Sequence, residues 1–264
     1  MLSGGAGGHY VDLNCDMGEG MDSDAAIFPF ISSANIACGG HAGDEDTMRR
    51  TVELALQQGV AIGGHPSYPD KAGFGRVDVL GMAVSLAALP DIISGQLFRI
   101  QGVCREFGVR LRHVKPHGAL YNRAAKDEAV SRAICRAIVD IDPSLLLYGL
   151  SGSEMKRQAE MAGLVFVSEV FADRTYRPDG SLTPRTEPHA LIADPQRVVQ
   201  QVLKMVKEGR VDVYAADGAA IGMATLASET ICLHGDGEHA AEFAQRIYDV
   251  LSVAGIMVRA PHSF

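Results

Sequence analysis

The stretch SANIACGGHAGD, at residues 33–44, combines strand, turn and helix signals, and the rest of the chain is interpreted from it. Its apolar run ends in two glycines, His41 follows, and Asp44 stands where a helical pattern begins. Aspartate is a favoured helix N-cap, and Glu45 and Asp46 suit the positive end of the helix dipole. We therefore expect His41 at the junction of a parallel strand and a helix, where α/β folds bind ligands. The same residues are also compatible with a tight turn that carries a solvated histidine.

Strand and helix signals alternate on both sides of this stretch. Strands are predicted at residues 10–16, 34–38, 60–63, 111–115, 145–150, 164–171 and 229–233. Helices are predicted at residues 44–58, 91–107, 128–139, 154–162, 195–208 and 238–254, and a small hairpin at 211–223. Repeated strand–helix units imply parallel strands with helical crossovers, hence an α/β barrel or a doubly wound sheet. No repeat, linker or composition break divides the sequence, so we expect one domain over residues 1–264, with a flexible segment at 1–9.

The composition narrows the class of protein. Hydrophobic residues make up 47% of the 264 residues and charged residues 21%, which is enough apolar material to bury a core. The net charge of -8 and a pI of about 5.6 argue against nucleic acid or an anionic membrane as a partner. Five cysteines without metal-type spacing fit a reducing compartment, and the first residues lack the pattern of a secretory signal. We therefore expect a cytoplasmic protein with neither a nucleic acid nor a membrane as its partner.

Ionisable side chains collect at the predicted strand ends. Because side chains on a strand alternate between its faces, Asp12, Asn14 and Asp16 share one face of the first strand. The same alternation aligns His113, Lys115 and His117 after the fourth strand, Glu169 and Asp173 on the sixth, and His234 and Asp236 on the seventh. Polar groups are costly in a core unless they are paired, so this ring of side chains implies a hydrated or ligand-filled cleft.

Several of these residues also have a structural interpretation. Asp12 lies deepest in its strand and is expected to be a buried acid paired with a neighbour. His113 is expected to be a satisfied interior histidine, and His65 could be a loop residue. Lysine is rarely buried without a partner, so Lys115 is hard to explain by structure alone. The spacing of His113 and His117 is a weak metal signal on a strand, because the tight metal motifs use a helix.

A series of short segments carries a family resemblance. The segments are VDLNCDMGE, SANIACGGHAGD, GGHPSYPD, GFGR, HVKPHGALYN, EVFADRTY, LTPR and ICLHGD, which run from residue 11 to residue 236. Together and in this order they resemble the signature blocks of the LamB/YcsF family. The resemblance implies a distorted (β/α) barrel of the glycoside hydrolase/deacetylase type, with about seven parallel strands. It also implies an activity, the ATP-dependent opening of 5-oxo-L-proline to L-glutamate together with partner subunits B and C of a 5-oxoprolinase.

This implied reaction assigns roles to the residues at the strand ends. A five-membered lactam is a planar amide that resists hydrolysis, so it needs an activated water or a phosphorylated amide oxygen, and an oxyanion site. We interpret Asp16 or His117 as the general base. Lys115 would stabilise the negative charge, helped by backbone N–H groups near residues 39–40. Glu169 completes the catalytic candidates.

Arginines in two predicted loops are candidates for substrate binding. A guanidinium matches a carboxylate in bidentate geometry, so we expect Arg76, Arg174 or Arg185 to clamp the substrate carboxylate. For any single one of them, a surface ion pair is the simpler interpretation. The loops at 66–76 and 174–189 carry them and could close as lids. The other binding candidates are Asn14, Glu19, Asn35, His41, Asp173 and His234.

The cofactor expectations are ATP and a divalent metal. The sequence contains neither a G-x-x-x-x-G-K-[ST] loop nor a G-x-G-x-x-G turn between a strand and a helix, so we expect the partner subunits to bind most of the ATP. Asp16, His41, His65 and His117 are the candidate metal ligands, and a metal-free hydrogen-bonded network is the alternative. Two other functions stay open: a metal-dependent deacetylase of an amidated sugar, and a non-catalytic lactam-binding subunit.

Overall fold

Strands and helices alternate along most of the chain, as the sequence predicts. The structure, a computed structural model, describes residues 9–21, 23–233 and 240–261. Its strands are β1 (Tyr10–Met17), β2 (Ser33–Ala37), β3 (Ala61–His65), β4 (His113–Val114), β5 (Leu146–Leu150), β6 (Phe166–Phe171), β7 (Arg210–Tyr214), β8 (Ala220–Thr225), β9 (Thr230–Leu233) and β10 (Met257–Val258). Its α-helices are α1 (Asp24–Ile27), α2 (Glu45–Gln58), α3 (Leu89–Glu106), α4 (Gly118–Ala124), α5 (Glu128–Ile141), α6 (Glu154–Met161), α7 (Pro195–Glu208) and α8 (Ala240–Val253). Among these helices, none combines the length and the apolarity that crossing a bilayer requires.

The first strand closes the barrel, because it pairs in parallel with a strand on each side. β1 lies between β2 and β9, and Asn14 is opposite Ser33 on one side and Cys232 on the other. From β2 the order runs through β3, β4, β5 and β6, and β6 pairs with β9, always in parallel. The strands β1–β6 and β9 therefore form a closed ring of seven, and the predicted distorted (β/α) barrel is confirmed.

The remaining strands lie outside this ring. β7 and β8 form an antiparallel pair, which confirms the predicted hairpin. β10 pairs in parallel with Tyr10 and Val11 at the start of β1. Neither β10 nor α4 was predicted, because a two-residue strand and a short helix that begins with Gly118 give weak local signals.

Local signals set the bounds of the helix that follows the stretch at 33–44. The Asp44 carboxylate accepts a hydrogen bond from the backbone N–H of Thr47 at 2.8 Å, which confirms Asp44 as the N-cap of α2. Gly59 ends α2 in the left-handed conformation, with φ of 67°. His41 therefore lies between the end of β2 and the start of α2, as expected, and it is buried instead of solvated.

The interior of the barrel is polar. Asp12, Asn14, Asn35 and His113 are completely buried, whereas barrel interiors are usually filled with branched apolar side chains. His113 on β4 reaches Asn35 on β2 across the intervening strand β3. Gly63 on β3 provides the space, because a Cβ atom there would lie 2.1 Å from Nε2 of His113. Both Asp12 and His113 are thus interior residues with hydrogen-bond partners, as expected from the sequence.

Candidate active site

A cavity of about 710 Å³ opens at the carboxyl ends of the barrel strands. The predicted site residues that line it are Asp16, Glu19, His65, Arg76, Lys115, His117, Arg174 and Arg185. The buried residues Asn14, Asn35 and Glu169 are hydrogen-bonded to its floor, Asp173 precedes Arg174, and His234 lies outside the described residues. His41 is stacked on His117, with ring centroids 3.6 Å apart. Site residues that are far apart in the sequence therefore lie together at this cavity. Their catalytic and binding roles stay predictions.

Lys115 is a buried cation at the floor of the cavity. Its Nζ donates to Asp16 Oδ1 at 2.9 Å and to Asn14 Oδ1 at 3.3 Å, and it lies 3.0 Å from Glu169 Oε1. Nζ is also 3.0 Å from Sγ of Cys232, a contact that sequence reasoning missed. Burial alone would lower the pKa of Lys115, but the nearby carboxylates outweigh it and hold the pKa well above its usual value. The side chain is therefore charged, and its position is fixed from several sides.

The Glu169 carboxylate forms an ion pair with Lys115 and accepts hydrogen bonds from two further donors. Asn14 Nδ2 donates to Oε1 at 3.0 Å, and the hydroxyl of Tyr121 donates to Oε2 at 2.7 Å. Glu169 has no exposed surface, so these contacts replace the water that a carboxylate would otherwise bind. Tyr121 comes from α4, which was not predicted, and this explains why the sequence did not indicate its role.

A hydrogen-bond chain in the barrel interior fixes the orientation of Asn14. The Thr230 hydroxyl donates to Asp12 Oδ2 at 2.6 Å, so its oxygen is the acceptor for Asn14 Nδ2 at 2.7 Å. Because Nδ2 is committed to Thr230 and Glu169, the Oδ1 atom of Asn14 must face Lys115. Asp12 thus influences the cavity floor although it does not line the cavity.

A second hydrogen-bond chain fixes the orientation of Asn35 in the same way. Nε2 of His113 donates to Asn35 Oδ1 at 2.8 Å. Burial, together with the nearby Lys115, lowers the pKa of His113 to about 3, so the imidazole is neutral and Nε2 carries its proton. Asn35 Nδ2 then donates to Asn14 Oδ1 at 2.8 Å and to Asp16 Oδ1 at 2.9 Å. Both amides are therefore oriented from inside the barrel.

Replacing Thr230 with Val tests the hydrogen-bond chain that orients Asn14. Valine has the same shape but no hydroxyl, so Asn14 Nδ2 and Asp12 each lose a buried partner. We expect the free energy of unfolding to fall by about 1–3 kcal/mol in urea titrations. The control is Thr230→Ser, which keeps the hydroxyl and removes one methyl group, at about 0.8 kcal/mol. Equal losses in the two variants would show that packing, not the hydroxyl, matters here.

Backbone carbonyls determine where two histidines carry their protons. His65 Nδ1 lies 2.6 Å from the carbonyl oxygen of Lys115, and His117 Nε2 lies 3.0 Å from that of Phe74. A carbonyl oxygen only accepts, so these nitrogens must be the protonated ones. The opposite nitrogens, His65 Nε2 and His117 Nδ1, face each other at 2.9 Å. Two lone pairs at this distance require either a second proton on His65 or a cation beside them.

Glu19 and His41 complete the group around these nitrogens. Glu19 Oε1 lies 2.8 Å from His41 Nε2, 3.4 Å from His117 Nδ1 and 3.7 Å from His65 Nε2. One ligand atom from each of the four residues lies within 4.8 Å of the other three. Three imidazole nitrogens and one carboxylate oxygen are a donor set that suits a divalent metal such as Zn²⁺. The residues present therefore fit a metal.

The metal ligands predicted from the sequence include Asp16, whereas the cluster in the structure contains Glu19 together with the three histidines. Asp16 Oδ1 accepts from Lys115, and Oδ2 is 3.3 Å from His65 Nε2, so Asp16 borders the histidines. Glu19 reaches them because Gly18 turns the chain back after β1 with φ of 71°. In the sequence, the position of Gly18 between Asp16 and Glu19 was the indication of this turn.

A strained turn holds the histidines in place. Phe74 has φ of 54°, and it is the only residue other than glycine with positive φ in the described ranges. Its ring packs edge-on against His41 and His117, with centroids 5.3 and 5.5 Å away, and its carbonyl faces His117. A Cβ atom on Gly75 would lie 2.9 Å from Cβ of His41. The strain at this turn thus coincides with a candidate functional site.

Comparison with known proteins places this chain in a family. Residues 11–264 match the LamB/YcsF family, and the chain belongs to that family. It is 51% identical over 255 residues to the A subunit of the 5-oxoprolinase from Tolumonas auensis, a match that covers 95% of this chain and 98% of the relative. It is 38% identical to the lactam utilization protein from Thermus thermophilus, with a TM-score of 0.87 over 96% of this chain and 100% of that crystal structure.

More distant structures share the fold alone. The catalytic domain of a peptidoglycan N-acetylglucosamine deacetylase from Eubacterium rectale is 11% identical, with a TM-score of 0.51. The match covers 98% of this chain and 92% of that one. This likeness agrees with the deacetylase-type barrel that the family resemblance implies, and it says nothing about the reaction.

Proposed function

We propose that this chain opens the ring amide of 5-oxo-L-proline to give L-glutamate, within an ATP-hydrolysing complex that also contains subunits B and C. The observation that carries the proposal is the identity of 51% and 49%, each over 95% of this chain, to relatives that are named as the A subunit of 5-oxoprolinase. The cavity supports it, because a buried ammonium, carboxylates and imidazoles line one space at the barrel end.

Lys115 is the group best placed to stabilise negative charge on the lactam oxygen when water adds to the carbonyl carbon. It lines the cavity, it is charged, and Asp16, Glu169 and Asn14 hold its ammonium in position before substrate arrives. A charge that is fixed in advance stabilises a developing oxyanion without reorganisation, and in many enzymes this stabilisation contributes more to the rate than any other effect.

The contacts favour Asp16 over His117 as the base that activates water. Both nitrogens of His117 are occupied, Nε2 by the carbonyl of Phe74 and Nδ1 by His65 and Glu19. Asp16 uses Oδ1 for Lys115 and Asn35, and its Oδ2 is directed toward His65 at the wall of the same cavity. A carboxylate beside the ammonium can take a proton from water and deliver it to the ring nitrogen as the C–N bond breaks, while the positive charge of Lys115 stabilises the oxyanion.

A divalent metal held by Glu19, His41, His65 and His117 is the second part of the proposal. When bound, such a metal supplies a Lewis acid and lowers the pKa of a coordinated water. The carbonyls of Lys115 and Phe74 direct the ligand nitrogens toward the group, which is how outer contacts usually orient metal-binding histidines.

Glu19→Gln tests this metal. The amide keeps the shape but loses the charge, so we expect the affinity for Zn²⁺ to fall by about 10–100-fold in calorimetric titrations of the purified chain. Glu53→Gln on the exposed face of α2 is the control and should bind as the wild type does. If the wild-type chain binds no divalent metal at micromolar concentrations, the imidazolium form of His65 is the correct interpretation instead.

The reaction itself is tested with purified chain, subunits B and C, ATP and 5-oxo-L-proline. The expected result is glutamate formation that requires all of these components. Acetate release from an amidated sugar by the chain alone, without ATP, would instead support the deacetylase function. Normal glutamate formation after changing the cavity residues, with the complex still assembled, would support the non-catalytic lactam-binding role.

A further inference from the structure

Arg174 is a buried cation in the wall of the cavity. It follows β6, and only 5% of its surface is exposed. Its Nε donates to the carbonyl of Ala190 at 3.3 Å, and its Nη2 donates to that of Thr183 at 2.6 Å. Both partners are neutral backbone groups, so these contacts position the guanidinium without forming an ion pair, and the neighbouring Asp173 offsets its charge only in part.

Arg174 forms no ion pair with a carboxylate within the described part of the chain. A guanidinium has five N–H donors, and the two carbonyls use two of them, which leaves three for a ligand. Burial, together with repulsion from Arg185, lowers the pKa of Arg174 to about 10. Buried charges in proteins are normally paired, so a missing partner indicates a place for an anion.

The structure also distinguishes the three arginines that the sequence left as alternatives. Arg76 is exposed, and its guanidinium lies 4.8 Å from the centre of the Phe74 ring. Arg185 is exposed as well, on the loop above Arg174. Arg174 alone combines burial, fixed orientation and access to the cavity.

We propose that Arg174 binds the carboxylate of the substrate and makes the site selective for lactams that carry a carboxylate next to the ring nitrogen. This inference rests on the proposed function and adds the group that recognises the substrate. Asp16 and Glu19 also line the cavity and repel an anion, so the carboxylate is placed at Arg174 and the ring carbonyl at Lys115. A bidentate pair then fixes the ring in one orientation.

The test compares two lactams in the assembled complex with ATP. 5-Oxo-L-proline carries the carboxylate, and 2-pyrrolidinone has the same ring without it. In Arg174→Gln we expect the ratio of kcat/KM for 5-oxo-L-proline to kcat/KM for 2-pyrrolidinone to fall by about 10²–10³-fold. Arg174→Lys keeps the charge without the fork and should fall in between. Arg132→Gln, on the exposed face of α5, is the matched control and should retain the discrimination.

The outcomes separate this inference from the proposed function. If the wild type opens 5-oxo-L-proline and both Arg174 variants discriminate as well as it does, the inference is wrong and the function stands. If the wild-type complex opens neither lactam, calorimetry of 5-oxo-L-proline with the whole chain decides. Binding by the wild type that is about 10²-fold weaker in Arg174→Gln supports the carboxylate subsite without the reaction. Equal binding, or none in either protein, overturns it.

Discussion

Replacing Lys115 with Met is expected to reduce glutamate formation by about 10³-fold. Among the described lysines that line the cavity, Lys115 is the one whose ammonium contacts Asp16 and Glu169. Methionine offers neither a positive charge nor a hydrogen-bond donor in its place. Because the oxyanion forms only after water adds, the loss should fall on kcat more than on KM.

The same substitution also removes the partner of two carboxylates. Leaving a buried charge without its partner costs about 3–5 kcal/mol, so Lys115→Met alone should be much less stable to urea than the wild type. The double variant Lys115→Met with Glu169→Gln is the control, because the neutral amide can still accept from Tyr121 or donate nearby. We expect the double variant to recover most of the stability and none of the activity.

The measurements are steady-state kinetics of the assembled complex and urea unfolding of each chain. Recovery of activity in the double variant would show that Lys115 only balances Glu169 and is not catalytic. Near-normal turnover in the single variant would remove Lys115 from the mechanism altogether.

Replacing Gly63 with Ala is expected to lower the free energy of unfolding by about 3 kcal/mol or more. The new Cβ would lie 2.1–2.4 Å from three atoms of the His113 ring, which is completely buried and stacked on Tyr148. A displaced His113 would also leave Asn35 without its donor and disturb Asp16.

Two comparisons make this prediction specific. Gly102→Ala, in the middle of α3, places a Cβ where no heavy atom lies within 4 Å, and it should stabilise the chain by about 0.5–1 kcal/mol. In a His113→Ala background the clash is absent, so Gly63→Ala should cost far less there. If the cost is the same with and without the histidine ring, the clash is not its cause.

Short-range signals in the sequence were sufficient to predict most of the fold. Asp44 and Gly59 are the capping residues of α2 because capping is decided within a few residues of chain. The two-residue alternation in β1 likewise placed Asp12 and Asn14 on the inner face. The repeated parallel crossovers were compatible with both a barrel and a doubly wound sheet, and it was the family resemblance that implied the closed ring of seven strands.

Contacts between distant segments could not be predicted in the same way. The tautomer of His117 depends on the carbonyl of Phe74, and any residue type at that position has a carbonyl. The choice of Glu19 beside the histidines depends on how far Gly18 turns the backbone. The choice of Arg174 over Arg76 depends on burial, and the sequence alone does not indicate which arginine side chain is buried.

The polar interior of the barrel has a thermodynamic consequence. Unfolding would hydrate the side chains of Asp12, Asn14, Asn35 and His113 along with the apolar residues packed between the sheet and the helices. Polar hydration decreases the heat capacity while apolar hydration increases it, so the heat-capacity increment of this barrel should be smaller than that of one filled with leucine and valine. Its stability should accordingly vary less steeply between cold and warm conditions.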